Sequence, residues 1–477
     1  MKGEPMKVVV CGGGLGGLSA ATVLAEAGHE VVLVEREGFA GGRVGSWRSK
    51  LASGDVFQME RGFHAFFRQY YNLRSLMQRV DPTLSMLEPQ RDYPILGPAG
   101  RVESFSGLST KAPFNIAQLV WRTPTLGLRD LMGVNVKNAS SMLAYGAHTY
   151  DKWDHISARD YLDSLRFPDD ARQMLFDVFS HSFFNPEDKF SAAELLMQFH
   201  FYFMGNPEGL IFDTMTKPFG SGFIEPLLDY LRGRGVELRL GESVERLELG
   251  GADEGVNVVA GGRSERADAA ILALSVDPLK SVVEATAGFD AAFRRRVSSL
   301  ETTLPFVVWR MWLDKPVNKR APFAGTVGHG LLDNISIYEK LEDESAAWAK
   351  KHRGSVVELH AYGVPEELDE ASIRADLVRT LHELYPETRD ADVVEERYLR
   401  RQDCPAFAPG SDAQRPGVAT SDPRVFLAGD FVKVPWPSAL MERATMSGFD
   451  AANRAMGRVG QPIRSVPTQG LLSSLKL

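Results

Sequence analysis

Lys7-Val8-Val9-Val10-Cys11-Gly12-Gly13-Gly14-Leu15-Gly16-Gly17-Leu18 is the first strongly patterned stretch of the chain, and it sets the architecture. The β-branched run Lys7 to Cys11 predicts a strand. Leu15 to Ala27, rich in Ala and Leu and closed by Gly28, predicts a helix, and Glu30 to Val34 a second strand. Gly12, Gly14 and Gly17 fall between strand and helix, where glycines permit a tight turn, close approach of a pyrophosphate and close helix–strand packing. The helix, starting at Leu15, then presents its partial positive charge to the phosphates. Glu35, with Arg36 beside it, ends the second strand, where a carboxylate accepts from ribose hydroxyls and repels the extra phosphate of NADP.

Working outward, residues from about Phe66 to Phe212 read as helical and aromatic, with Ala192 to Phe203 as one buried helix. The nucleotide-domain pattern then returns. Pro226 to Arg234 predicts a helix that passes through Gly235 into a strand at Val236 to Leu240, and Val256 to Val259 and Ala269 to Leu274 predict two more strands. Residues 300–400 read as α+β, with strands at Phe306 to Trp312 and Val356 to His360 and a helix near Ile373 to Leu384. A last strand, Arg424 to Ala428, runs into Gly429-Asp430, and Ser438 to Met456 predicts a helix. The expected fold is therefore α/β: a discontinuous Rossmann-like domain (1–65, 215–280 and 415–460) interleaved with a helical, aromatic-rich cap (66–214) and an α+β substrate domain (281–414). A tail follows at 461–477.

Composition narrows the function. Among 477 residues, 44% are hydrophobic and 24% charged, as in a soluble globular protein, and the net charge of -8 with no long basic run argues against nucleic acid. Cys11 and Cys404 are the only cysteines, so neither a disulfide framework nor a cysteine metal site is expected, and a reducing cytoplasm fits. No secretory signal or membrane-spanning run is recognised. Pro113-Phe114-Asn115-Ile116-Ala117-Gln118-Leu119-Val120-Trp121-Arg122 combines apolar residues, an interfacial Trp and a cation, which suits a peripheral contact with the cytoplasmic membrane and equally suits internal packing.

Gly41-Gly42-Arg43 resembles the glycine doublet of the amine oxidase and phytoene desaturase flavoproteins, and Leu427-Ala428-Gly429-Asp430 resembles their second flavin motif. The resemblance implies FAD, with the helix start at Ala439 and Leu440 aimed at the flavin, Val244 at the adenine, and Gly62, Phe63 and His64 beside the ring. Glu60-Arg61-Gly62-Phe63-His64-Ala65-Phe66-Phe67, continuing to Arg74, is similar to the carotenoid-ring desaturase/methyltransferases of the isorenieratene synthase type. So are Phe179 to Phe184, Phe199 to Asp213 and Ser438 to Ala444. That family implies aromatisation of a β-ionone ring with a methyl shift. Removing hydride leaves a cation, for which Phe66, Phe67, Tyr70, Tyr71, Phe201, Tyr202 and Trp436 are the candidate aromatic faces. His64 is the first candidate base, or else a structural histidine, followed by His200 and His181; Glu442 and Arg443 are expected to pair with each other. Two cysteines cannot join two histidines in a Rieske centre here, so electrons leave through flavin, to an acceptor the sequence does not name. A linear isoprenoid or polyene desaturase, an amine oxidase, and a flavin- or carotenoid-binding protein without turnover stay open.

Overall fold

Five parallel strands form the sheet that carries the glycine loop: β1 (Lys7–Cys11), β2 (Glu30–Glu35), β3 (Glu237–Leu240), β4 (Ala269–Leu272) and β5 (Val425–Leu427), in the order β3-β2-β1-β4-β5. The computed structural model describes residues 5–90, 92–122, 132–174, 184–251, 254–317, 320–458 and 464–474. Parallel strands are covered on both faces, which is why β1 reads as unbroken apolar sequence rather than alternation: Val8, Val9, Val10 and Cys11 are all fully buried. From β1 the chain turns into helix α1 (Leu15–Glu26). Gly28, at φ +88°, closes that helix, with its N–H on the Ala25 carbonyl (3.1 Å) and the His29 N–H on that of Leu24 (3.1 Å).

Helix α2 (Leu440–Ala455) comes from the other end of the chain and lies directly on α1. A Cβ added at Gly448 would stand 2.2 Å from the Gly16 carbonyl oxygen, so the two helices meet backbone to backbone. An antiparallel meander (Val244–Leu249, Val256–Ala260, Arg263–Ala267) joins β3 to β4.

The second large sheet has seven strands, in the order Val393–Arg401, Phe306–Leu313, Ser355–Ala361, Asn334–Ile337, Phe323–Thr326, Pro94–Leu96, Val102–Ser104. Along Phe306–Leu313 the side chains alternate between two cores. Val307, Trp309, Met311 and Leu313 join Ile373, Leu377 and Leu381 of the helix Glu370–Leu384. Phe306, Val308 and Trp312 face Phe57 and Met59 of the hairpin Ser46–Lys50/Val56–Glu60. Each such apolar side chain contributes about 1.5–3 kcal/mol on burial.

The segment 66–214 is helical over Tyr71–Met77, Phe114–Arg122, His148–Trp153, Ala158–Ser164 and Ala192–Phe199, as expected, but it also carries strands that the helical reading did not include. Phe66–Phe67, Leu87–Gln90 and Phe212–Met215 form a three-stranded sheet, and Pro94–Leu96 and Val102–Ser104 complete the seven-stranded one. Strands of two to four residues are too short to display a period of two, and Pro89 and Pro94 disguise them further. The expected helix Ala192 to Phe203 is α-helical only to Phe199 and widens into a π turn at His200–Met204, where Asn206 Nδ2 donates to the carbonyls of Phe201 (2.7 Å) and Tyr202 (3.0 Å).

Candidate active site

One cavity of about 370 Å³ is lined by residues of both large sheets. Its β1–α1 end is built for a dinucleotide. Gly12 sits at φ +111°, and a Cβ there would lie 2.4 Å from the Ala273 carbonyl oxygen. Gly14 begins α1 without a side-chain cap, so first-turn N–H groups face the cavity beside Leu15. Gly41, at φ +108°, donates its N–H to the Gly13 carbonyl (2.7 Å), which holds Gly42 and Arg43 against the same loop. Glu35 Oε2 accepts the Gly13 N–H (2.7 Å) and Oε1 the Glu37 N–H (2.9 Å). Arg36, Val244, Gly429 and Asp430 complete this lining. Arg43 pairs with Asp430 (2.5 Å), and 31% of its side chain is still open, so one cation is anchored from the C-terminal motif yet available to a phosphate.

The first turn of α2 supplies Leu440, Met441 and Ala444. Leu440 holds φ +50°, a costly value for leucine, at a helix start that has no side-chain cap. A cation, free helix-start N–H groups, a carboxylate and side-chain-free glycines together fit FAD.

Beyond these elements the lining becomes aromatic. Phe63 stacks on Phe323 (centroids 4.4 Å, 22°), Phe67 meets Tyr202 (4.8 Å) and Phe212 (5.5 Å), and Tyr93 meets Phe212 (4.8 Å). Tyr70 and Tyr202 share a hydroxyl hydrogen bond of 2.7 Å. His64 lies at the junction, its ring edge-on to Phe219 (5.1 Å). Burial lowers it to about 4, so the ring is neutral; its Nδ1 donates to the Gly62 carbonyl (2.8 Å) and Nε2 keeps its lone pair.

Several expected residues lie elsewhere. Gly17 supports the loop from behind: its Cβ would stand 1.9 Å from the Gly12 carbonyl oxygen. Gly62, at φ +107°, gives way to His360 rather than to the cavity, and Ala439 is the residue before α2. Phe66, adjacent to Phe67 on a strand, points the opposite way into the core against Phe219 (5.8 Å), and Phe201 stacks behind Tyr70 (6.1 Å). Tyr71 packs under Arg464 (3.9 Å), and half-buried Trp436 sits in the turn before α2; neither lines the cavity. His200 is no base for this site, because its Nε2 bonds the Pro467 carbonyl (2.7 Å) and its ring stacks on Tyr145 (4.7 Å). His181 lies outside the described residues. Glu442 and Arg443 do not pair, since neighbours on a helix point about 100° apart. Glu442 accepts from Asn72 N (2.9 Å), Asn72 Nδ2 (2.6 Å) and Leu73 N (3.0 Å), whereas Arg443 pairs with Glu194 (2.5 Å).

Other residues come to the cavity unannounced. Arg61 pairs with Asp403 on its wall, and Asn334, His360 and Tyr362 arrive from the seven-stranded sheet. A signal existed for the last two: Glu358, His360 and Tyr362 alternate along the strand Ser355–Ala361 and the residue after it, which puts a polar stripe on one face.

A flavin cradle opening into an aromatic chamber defines an FAD-dependent oxidoreductase. Residues 15–456 match the model for flavin containing amine oxidoreductases, and the chain belongs to that family. It is 43% identical to the carotenoid phi-ring synthase of Streptomyces griseus, over 99% of this chain and 93% of that protein. It is 28% identical to the carotenoid phi-ring synthase of Chlorobaculum tepidum, over 98% and 92%. Among solved structures, wild-type putrescine oxidase bound to putrescine superposes with a TM-score of 0.68 at 16% identity, over 95% of this chain and 99% of that one, a likeness of fold.

Proposed function

We propose that this chain aromatises the β-ionone ring of β-carotene or a related carotene, with migration of a methyl group. The observation that carries it is the continuity of the FAD cradle with a chamber walled by Phe63, Phe67, Tyr202, Phe212 and Phe323. Two carotenoid phi-ring synthases that match nearly the whole chain support the choice of ring. FAD, when bound, accepts hydride from carbon. Gly12, Gly14, Glu35, Arg43 and Asp430 would hold it, and His64, Phe63 and the first turn of α2 line the cavity between this cradle and the aromatic chamber. Aromatic faces attract the ring cation left by hydride loss, about 2 kcal/mol or more for each desolvated contact, and offer no nucleophile to quench it. Aromatisation removes four hydrogens from the ring, two as hydride and two as protons, so the site also needs a proton acceptor.

A water-insoluble substrate calls for a lipid surface, and helix Phe114–Arg122 suits one. Its Phe114 and Trp121 are 64% and 81% exposed on the face away from buried Asn115 and Leu119. Expression in a bacterium that makes β-carotene, followed by mass spectrometry, tests the assignment. Pigment lighter by four hydrogens per ring and aromatic by NMR is expected. Unchanged β-carotene beside soluble, flavin-loaded protein refutes it, and hydrogen loss without an aromatic ring indicates simple desaturation.

A further inference from the structure

Opposite the flavin loops, three polar residues are chained along the strand Ser355–Ala361 and its exit. Glu358 and His360 are 0% and 1% exposed; Tyr362, partly open, borders the cavity. Glu358 Oε1 lies 2.7 Å from His360 Nε2, and His360 Nδ1 lies 2.8 Å from the Tyr362 hydroxyl. Glu358 is held from every side: Oε2 accepts from Arg310 Nε (2.7 Å), and Oε1 also accepts the Phe63 N–H (3.1 Å). Burial opposes its ionisation, yet Arg310 and His360 keep the carboxyl at about 2, an acceptor only. His360 Nε2 therefore carries a hydrogen, and in the neutral ring Nδ1 accepts one. Asn334 Nδ2 donates to the Tyr362 oxygen (2.9 Å), which leaves the phenolic hydrogen to point at Nδ1.

We propose that Tyr362, His360 and Glu358 form the relay that takes the protons from the carotene ring, with the Tyr362 oxygen as the atom that meets the substrate. This rests on the ring-aromatising function above. In the step, a C–H bond beside the ring cation breaks and its electron pair closes a C=C bond. The proton passes to the Tyr362 oxygen as the phenolic hydrogen passes to His360 Nδ1, and the imidazolium is held by Glu358. Charge is conserved: one cation leaves the ring and one appears on His360. The order of groups is that of a nucleophile–histidine–carboxylate triad with a phenol in the first position. Burial pushes the Tyr362 phenol well above its ordinary value, so it exchanges protons and does not persist as phenolate.

His64 is placed differently. Burial holds it at about 4, so it would carry a proton in roughly one ring in a thousand at pH 7, and its Nδ1 is hydrogen-bonded to the Gly62 carbonyl rather than to a carboxylate. His360 also stands on a rigid central strand, paired on both sides, and Tyr362 follows directly where that strand ends.

Tyr362→Phe keeps the ring and removes the hydroxyl. With FAD-loaded protein and β-carotene, aromatic product should form about 100-fold more slowly or less, while FAD affinity and melting temperature stay at wild-type values. A second readout needs no turnover. In 15N-histidine NMR, His360 should carry hydrogen on Nε2 with Nδ1 unprotonated, and its Nδ1 resonance should move in Tyr362→Phe as the O–H···N bond is lost. Equal product rates in the two proteins overturn the relay and leave the ring assignment standing. Hydrogen on Nδ1 of the neutral His360 ring overturns it by itself. Wild-type protein that leaves β-carotene intact removes the ring assignment and this proton source together.

Discussion

Replacing Glu35 by Gln should detach FAD while leaving the fold standing. Each Glu35 oxygen already serves one backbone donor, Oε2 the Gly13 N–H at 2.7 Å and Oε1 the Glu37 N–H at 2.9 Å, and the residue is only 9% exposed. Glutamine has one oxygen for these two donors. Its amide NH2 must confront either Gly13 in the phosphate loop or Glu37, and the ribose loses an ionised acceptor at the same time. A hydrogen bond to a charged group is worth about 1.5–3 kcal/mol, and 1.4 kcal/mol is tenfold in affinity, so the Kd for FAD should rise about 10- to 150-fold. Apoprotein stripped of flavin and titrated with FAD by fluorescence quenching measures it. A Kd within about threefold of wild type would mean that Glu35 pins the loop without touching the cofactor, and the account of the cradle would be wrong.

Four other outcomes follow from the same geometry. Gly17→Ala drives a methyl into the Gly12 carbonyl, 1.9 Å away, and should cost about 1–3 kcal/mol or more, lower the melting temperature and release FAD on purification; normal FAD content would contradict the packing described. Removing FAD should itself destabilise the protein, since ligand at 100 times its Kd adds about 2.7 kcal/mol; a melting temperature indifferent to added FAD would count against the site. Burial raises Glu442 to about 7 in the folded chain, above its unfolded value, so its stabilising contribution is full below about 4.5 and is lost as pH rises through 7. Thermal unfolding from pH 5 to 8 should therefore fall more steeply for wild type than for Glu442→Gln, by up to roughly 3 kcal/mol, and parallel curves would refute that raised value. Trp121→Ser combined with Phe114→Ser should lower the fraction of protein that floats with lipid vesicles; unchanged flotation would discount the helix Phe114–Arg122 as a membrane contact.

The cofactor half of the site was legible because its signals are local. Gly12 through Glu35 form one βαβ unit in which each residue's task follows from neighbours in sequence, and Gly429-Asp430 closes a strand of the same sheet. The substrate half was not. Phe66 and Phe67 look alike in sequence, and only the two-residue strand they occupy sends one to the cavity and the other to the core. His200 sits in a family-like segment but meets Tyr145 and Pro467, partners 55 and 267 positions away. The polar stripe Glu358-x-His360-x-Tyr362 becomes intelligible only when strand register brings Arg310 opposite Glu358. Long-range pairing of that kind has no short-range signature.

The contact of Gly16 with Gly448 has a consequence in time as well as in space. A ribosome working at about 5–20 residues per second finishes the phosphate loop roughly 20–90 seconds before it supplies Asp430 and α2. Throughout that interval the N-terminal βαβ unit exists without the strand and helix that complete its sheet, and the whole aromatic region is made in the gap. The pocket therefore closes as a late event, when α2 reaches α1, and flavin capture has to wait for Asp430 and the first turn of α2. Until then the glycine loop and the aromatic chamber stand without the wall that Gly429, Asp430 and Leu440 supply.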